Sequence, residues 1–369
     1  MQQVNAAVAA NTWPTQPGPK LFSWGQNTYG QLGLGNTTNY SSPKQVGTLI
    51  NWLKTACGSY QSLATKTDGT LWVWGINSNG QLGLGNVTDY SSPKQVGALT
   101  NWLNLAGGGN HSVATKTDGT LWTWGGNSQG QLGLGNTTNY SSPKQVGSLT
   151  NWLSITASYR FTLATKTDGT LWAWGQNNNG QLGDGTTAAK SSPIQVGSLT
   201  NWSAVDSGYS CVISLKTDGT LWTWGQGGSG QLGLGNATYY SSPKQVGALT
   251  TWAKVANGDQ CAYAITATGA LWSWGSNGDG QLGLGNTTNY SSPKQVGSLT
   301  NWSVVVGGET QFAISIKTDG TLWSWGRNFA GQLGLGNITY YSSPKQVGAR
   351  TTWTVIASGG RNTLAIAVL

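Results

Sequence analysis

Residues 71–86 read LWVWGINSNGQLGLGN, with two tryptophans and four glycines in sixteen residues. The number of copies decides whether this is an aromatic ligand platform or a building unit. The pentapeptide recurs as LFSWG at Leu21, then LWVWG, LWTWG, LWAWG, LWTWG, LWSWG and LWSWG at 71, 121, 171, 221, 271 and 322. The spacing is 50 residues, with one extra residue in the sixth interval. Of the 21 tryptophans, 20 occupy three repeated positions: the LW site (Phe22 in the first copy), the WG site and an NW or TW site from Trp52 to Trp353. Self-similarity at this period marks an array of equal units or a closed propeller.

The bulk composition agrees. At 369 residues the chain exceeds one ordinary hydrophobic core. With 8% charged and 37% hydrophobic residues it is a folding sequence, not a disordered polyelectrolyte. No apolar run approaches a membrane span. The first twenty residues, MQQVNAAVAANTWPTQPGPK, lack a basic n-region, so no signal peptide is read. Cys57, Cys211 and Cys261 are too few and scattered for a disulfide or zinc framework and read as small buried thiols.

Each unit reads as four short strands: KQVG (44–47), WLKTA (52–56), SLATKT (62–67) and TLWVWG (70–75). Asp68-Gly69 between the last two is a hairpin signal with both turn residues at positive φ. Leu71 and Val73 face one way while Trp72 and Trp74 face the other, so both sides of the tryptophan strand need cover, as stacked blades supply. The last copy ends at TLAIAVL, where a hairpin partner is due, and the first begins with that partner, KLFSWG. The expected fold is all-β: a closed seven-bladed β-propeller of four-stranded blades over 20–369. Strand 20–25 pairs with the C-terminal blade 344–369, three strands from one end and one from the other, and residues 1–19 form an N-terminal arm. Pairing the ends removes open sheet edges.

GQLGLGN…SSPKQV, GGNHSVATKTDGTLWTWG and the fifty-residue period resemble the regulator-of-chromosome-condensation repeat family. The resemblance covers 20–369. It implies a seven-bladed propeller with interlocked ends that acts through protein contacts: guanine-nucleotide exchange in eukaryotes, β-lactamase inhibition in bacteria. Neither activity carries over residue by residue, because no wedge loop is inserted and the inhibitor's pattern is absent.

The glycines of WGxNxxGQLGLG precede no amphipathic helix, so they read as turn and close-approach residues instead of a phosphate loop. The net charge of +8 is dispersed: six lysines lie in SPKQVG and five in KTDG, each of the latter two residues from an aspartate. This is a solvated rim, not a basic groove, and no specific nucleic acid is expected. One histidine (His111), one glutamate (Glu309) and ten aspartates assemble no catalytic or metal constellation, so no enzyme activity, cofactor or metal is expected.

Copies within one chain differ most in two windows, the turn before the third strand and the four residues after WG. The hairpin brings both to one end of every blade. The candidate partner-binding residues there are Tyr29, Tyr60, Gln61, Asn110, His111, Tyr159, Arg160, Phe161, Tyr209, Asp259, Gln260, Glu309, Phe312, Arg327, Phe329 and Arg361. Aromatic residues and arginine are enriched at interface hot spots. The leading expectation is a non-enzymatic binding propeller that contacts a protein or glycan through this face. The alternative is a structural or host-facing component of a phage virion or bacterial surface assembly, tethered through residues 1–19. Asn/Thr/Ser/Gly richness and near-identical repeats favour an extracellular, cell-surface or virion location, with the cytoplasm left open.

Overall fold

The computed structural model describes residues 18–368. The first complete blade contains β3 (Trp52–Cys57), β4 (Gln61–Lys66), β5 (Leu71–Gly75) and β6 (Tyr90–Gln95), antiparallel in that order. Five more blades follow, from β7 (Trp102–Gly107) to β26 (Tyr341–Gln346). The seventh joins β27 (Trp353–Ser358) and β28 (Asn362–Val368) to β1 (Pro19–Gly25) and β2 (Tyr40–Gln45). The first strand of each sheet faces the axis and lines a narrow central channel of 270 Å³, with Thr55, Leu105, Ile155, Val205, Asn257, Val306 and Ile356 among its walls.

The ring closes through the N-terminal strand, with β1 pairing β28 from Pro19↔Val368 to Gly25↔Asn362. The division differs from the expected three strands and one: each end supplies two. The YSSPKQ strand belongs to the tryptophan strand that precedes it, as Gly25↔Tyr40 and Phe22↔Gln45 show. Lys345 accordingly lies in the sixth blade. The reason is that the GQLGLGN loop folds back, so the outer strand returns along the strand it left. Residues 1–17 of the expected arm lie outside the described residues.

The hairpin also differs from a two-residue turn. Gly69 N donates to Lys66 O at 2.9 Å and Lys66 N to Thr70 O at 3.1 Å, a three-residue loop with only Gly69 at positive φ (+77°). The Asp68 carboxylate holds it, accepting from Thr70 N at 3.0 Å and Thr70 Oγ1 at 2.6 Å.

GQLGLGN is a peg into the next blade. The Gln31 carbonyl accepts from Trp74 Nε1 at 2.8 Å and Ser62 Oγ at 2.7 Å, both on the following sheet. Every WG tryptophan is fully buried and makes the equivalent bond, including Trp24 to Gln332 O at 2.9 Å across the ring closure. Burial of an indole contributes roughly 4–6 kcal/mol before ordering costs. The bond then fixes its direction, because a buried N–H without an acceptor is costly. Aromatic packing between blades thus follows from the repeated tryptophans.

The KTDG lysines do not sit on a solvated rim. Lys66, Lys116, Lys166, Lys216 and Lys317 are only 5–7% exposed, with Nζ 3.6–3.7 Å from the centroid of a half-buried indole. The aliphatic stem packs while the ammonium meets the ring face.

Candidate functional site

The two variable windows meet in every blade. The residue after WG donates its backbone N–H to the turn before the second strand of the sheet: Gln26 to Arg361 O, Ile76 to Tyr60 O, Gly126 to Asn110 O, Gln176 to Arg160 O, Gln226 to Ser210 O, Ser276 to Gln260 O and Arg327 to Gln311 O, at 2.7–3.0 Å. These turns follow the ends of the axial strands, so the windows ring one mouth of the channel. Three second windows also reach the first window of the next blade, one of them through Ser229 Oγ donating to Gln260 Oε1 at 3.0 Å. Tyr29 meets Tyr60 edge-on at 5.3 Å, and Arg361 lies 4.7 Å over Phe329.

Twelve of the sixteen candidate residues are exposed or half-buried here: Tyr29, Tyr60, Asn110, Tyr159, Arg160, Tyr209, Asp259, Gln260, Glu309, Arg327, Phe329 and Arg361. The other four, Gln61, His111, Phe161 and Phe312, are fully buried and offer a partner no surface. They open the second strand of their sheets and fill the seams between blades. Gln61 Nε2 donates to Gly108 O at 2.8 Å, and His111 Nε2 lies 2.9 Å from Thr162 Oγ1. Burial holds the His111 imidazole neutral, its pKa lowered to about 3. These positions vary because each fills a different hole.

The exposed residues fall into sectors. Between the sixth and seventh blades, Arg327 and Arg361 flank Phe329, and Arg327 Nε reaches Asp279 at 3.7 Å. Between the third and fourth, Tyr159 and Tyr209 stack at 4.6 Å, with Arg160 5.0 Å over Tyr159. Asp259 and Glu309 lie between these cationic sectors. Burial pushes their carboxyls up, to about 6 and about 7, the latter against the Ser59 hydrogen bond that favours its anion.

The inserted residue falls at this mouth. Gln311, in the one repeat with an extra residue, is the single non-glycine at positive φ (64°) among the described residues. Ser59 and Asp279 belong to the variable windows but were not singled out from sequence; the contacts that engage them cross blades. Asp206, on an axial strand, accepts from Asn257 N at 2.8 Å and Thr156 Oγ1 at 3.1 Å and also lines the channel. Among the described residues no three His, Cys, Asp or Glu side chains converge as metal ligands, and no helix is long and apolar enough to cross a membrane.

Comparison with known proteins gives concordant matches. The RCC1-like domain pattern matches residues 98–368, and the regulator of chromosome condensation (RCC1) repeat matches 20–65 and 68–115. A further RCC1 repeat pattern matches 52–81. Human WBSCR16 superimposes with a TM-score of 0.85 at 20% identity, covering 95% of this chain and 99% of that one. Yeast RCC1 (Prp20), solved bound to Kap60, gives 0.86 at 20% identity over 96% of this chain and 89% of that one. Prp20p of Saccharomyces cerevisiae, studied with its binding to Gsp1p and histones, gives 0.86 at 20% identity over 96% and 92%. At this identity the superpositions establish a shared fold.

Proposed function

The chain belongs to the regulator of chromosome condensation (RCC1) repeat family, and on that premise we propose that it is a non-enzymatic binding propeller. It grips a protein through the variable mouth. The observation that carries this reading is the hydrogen-bonded joining of both windows in all seven blades, which concentrates the chain's diversity on one rigid face. A site on a rigid scaffold loses little entropy on docking. The alternation of Arg–aromatic sectors with the Asp259/Glu309 sector favours a protein over a neutral glycan, since a protein surface supplies both signs of charge. The yeast relative's binding to proteins is consistent with this use of the fold, though its partners are not transferred.

A photo-reactive phenylalanine analogue at Tyr209 or Tyr29 tests the reading against the same label at Leu149, on the opposite face. A partner that cross-links from the first two positions, not the third, and that is lost with Phe329→Ala plus Arg361→Ala, supports it. Equal labelling from both faces sinks it. The virion or surface-assembly reading rests on composition and on residues 1–19; nothing in the described blades favours it over this one.

A further inference from the structure

One seam of the variable mouth differs from the rest. Between the sixth and seventh blades, Phe329 is 38% exposed, with the guanidinium carbons of Arg327 and Arg361 at 4.9 and 4.7 Å from its ring centre. No more than twice that distance therefore separates the two cations. Both arginine-bearing turns are pinned, since Arg327 N donates to Gln311 O at 2.9 Å and Gln26 N to Arg361 O at 2.8 Å. Stacking on the ring holds the planar groups in place. The Nε of each is closed to water and without a hydrogen-bond acceptor, which leaves the paired Nη ends to an incoming anion. Among the described residues the one ion pair either makes is Arg327 with Asp279, at 3.7 Å, with the side chains 36% and 26% exposed. A pair at that distance and open to water is weak.

The other blades do not repeat this arrangement. The position of Arg327 is uncharged in all six, and that of Phe329 is Thr28, Ser78, Ser128, Asn178, Gly228 or Gly278. Arg160 shares the position of Arg361, but it lies alone over Tyr159 at 5.0 Å. Among the described residues, two guanidiniums on one exposed ring occur at this seam only. The next seam round the ring carries Tyr29, also 38% exposed and edge-on to Tyr60.

On the reading that the mouth grips a protein, we propose that this seam recognises an acidic segment of the partner. Two carboxylate side chains, at residues i and i+2 of an extended stretch, are each taken end-on by one guanidinium, with an aromatic residue beside them towards Tyr29. Such side chains lie about 7 Å apart, within the separation that the shared ring allows. Asp279 shows the chemistry that fits: a carboxylate of the chain itself already approaches Arg327, and the incoming acid displaces it. Bidentate charge-assisted pairs give direction as well as energy, and arginine beside aromatic rings is the composition of interface hot spots.

The test is fluorescence anisotropy of the full chain with a labelled nonapeptide of three Glu-Glu-Tyr repeats, its Gln-Gln-Tyr counterpart and a thymidine oligonucleotide of equal charge. Saturable binding of the acidic peptide is expected, with the glutamine peptide about tenfold or more weaker for want of charged acceptors. Arg361→Lys keeps the charge but loses the fork, and should weaken binding about tenfold. Asp279→Asn should tighten it by removing the competing carboxylate. Lys144→Gln, on an exposed outer strand, should leave it unchanged. Equal binding of the two peptides or of the oligonucleotide, or equal loss with Lys144→Gln, would reduce the effect to the net charge of +8 and overturn the proposal. An Asp279→Asn variant that binds no more tightly would overturn it as well. The peptide comparison uses the unaltered chain, so it decides even where a variant does not fold. Cross-linking confined to the mouth with no preference for the acidic peptide would overturn this proposal and leave the broader reading standing.

Discussion

Ser59 Oγ donates to Glu309 Oε2 at 2.5 Å, joining the first blade to the sixth across 250 residues. The bond spans the turn of the seventh blade, where Glu309 N also donates to Gly359 O at 3.3 Å. Among the described residues, no other carboxylate hydrogen-bonds to a blade two places on; Glu309 belongs to the sixth blade, the one with the extra residue.

This carboxylate makes stability depend on pH. Burial raises the Glu309 carboxyl to about 7 and that of Asp259 to about 6, whereas both titrate near pH 4 when unfolded. The native state therefore holds these protons more tightly. Their contribution is fully present below about pH 4 and is lost as pH rises through about 6 to 7. Glu309→Gln keeps an acceptor for Ser59 and removes the charge. Calorimetry should show its Tm equal to that of the parent at pH 4 and higher above pH 7; a difference that does not grow with pH contradicts the assignment.

His111 acts with the opposite sign. Its folded pKa is lowered to about 3 by burial. Its contribution is therefore present above the unfolded value of about 6.5 and lost as pH falls towards 3. His111→Gln, matching the residue at position 61, should flatten the acid limb of the stability profile. An acid limb identical to the parent's would show that other groups set it.

The three cysteines should be inert. All are buried, and burial raises each thiol, Cys57 and Cys261 to about 12. Since the thiolate is the reactive form, a thiol-exchange reagent should label none in the native protein at pH 8 and all three after denaturation. Rapid labelling before unfolding would place a cysteine at the surface.

Two glycines separate backbone strain from crowding. Gly47 has φ +60° with nothing within 4 Å of an added Cβ, while Gly33 has φ +71° and would place that Cβ 2.8 Å from Trp74 Nε1. Gly47→Ala should cost about 1–2 kcal/mol from conformation alone. Gly33→Ala should cost more, because it also displaces the indole from the Gln31 carbonyl. Urea unfolding measures both, and equal losses would show that the tryptophan yields freely.

Several features were legible in the sequence for simple reasons. The recurrence of LW-W-G fixes unit length, and a chain whose end lacks the partner with which it begins is built to close. The phase of the units was not legible: equal spacing cannot say whether YSSPKQ pairs with the strand before or after it, and the Gly25↔Tyr40 register decides that. Variation proved an imperfect sign of exposure. Tyr29, Tyr209 and Phe329 vary at the surface, whereas Gln61, His111, Phe161 and Phe312 vary inside the seams. The KTDG lysines looked like solvated charges beside their aspartates, but the hairpin turns their stems onto an indole.

The sequence by itself determined the repeat, the seven copies, the all-β class and the closure of the ring, because these follow from periodicity and from which pattern is missing at each end. Tertiary structure decided which strand belongs to which blade, which variable residues reach solvent, and that the KTDG lysines lie on indole faces. Those depend on contacts between blades: residues 50 positions apart become neighbours only when successive blades stack, and residues 250 apart only when the ring has closed.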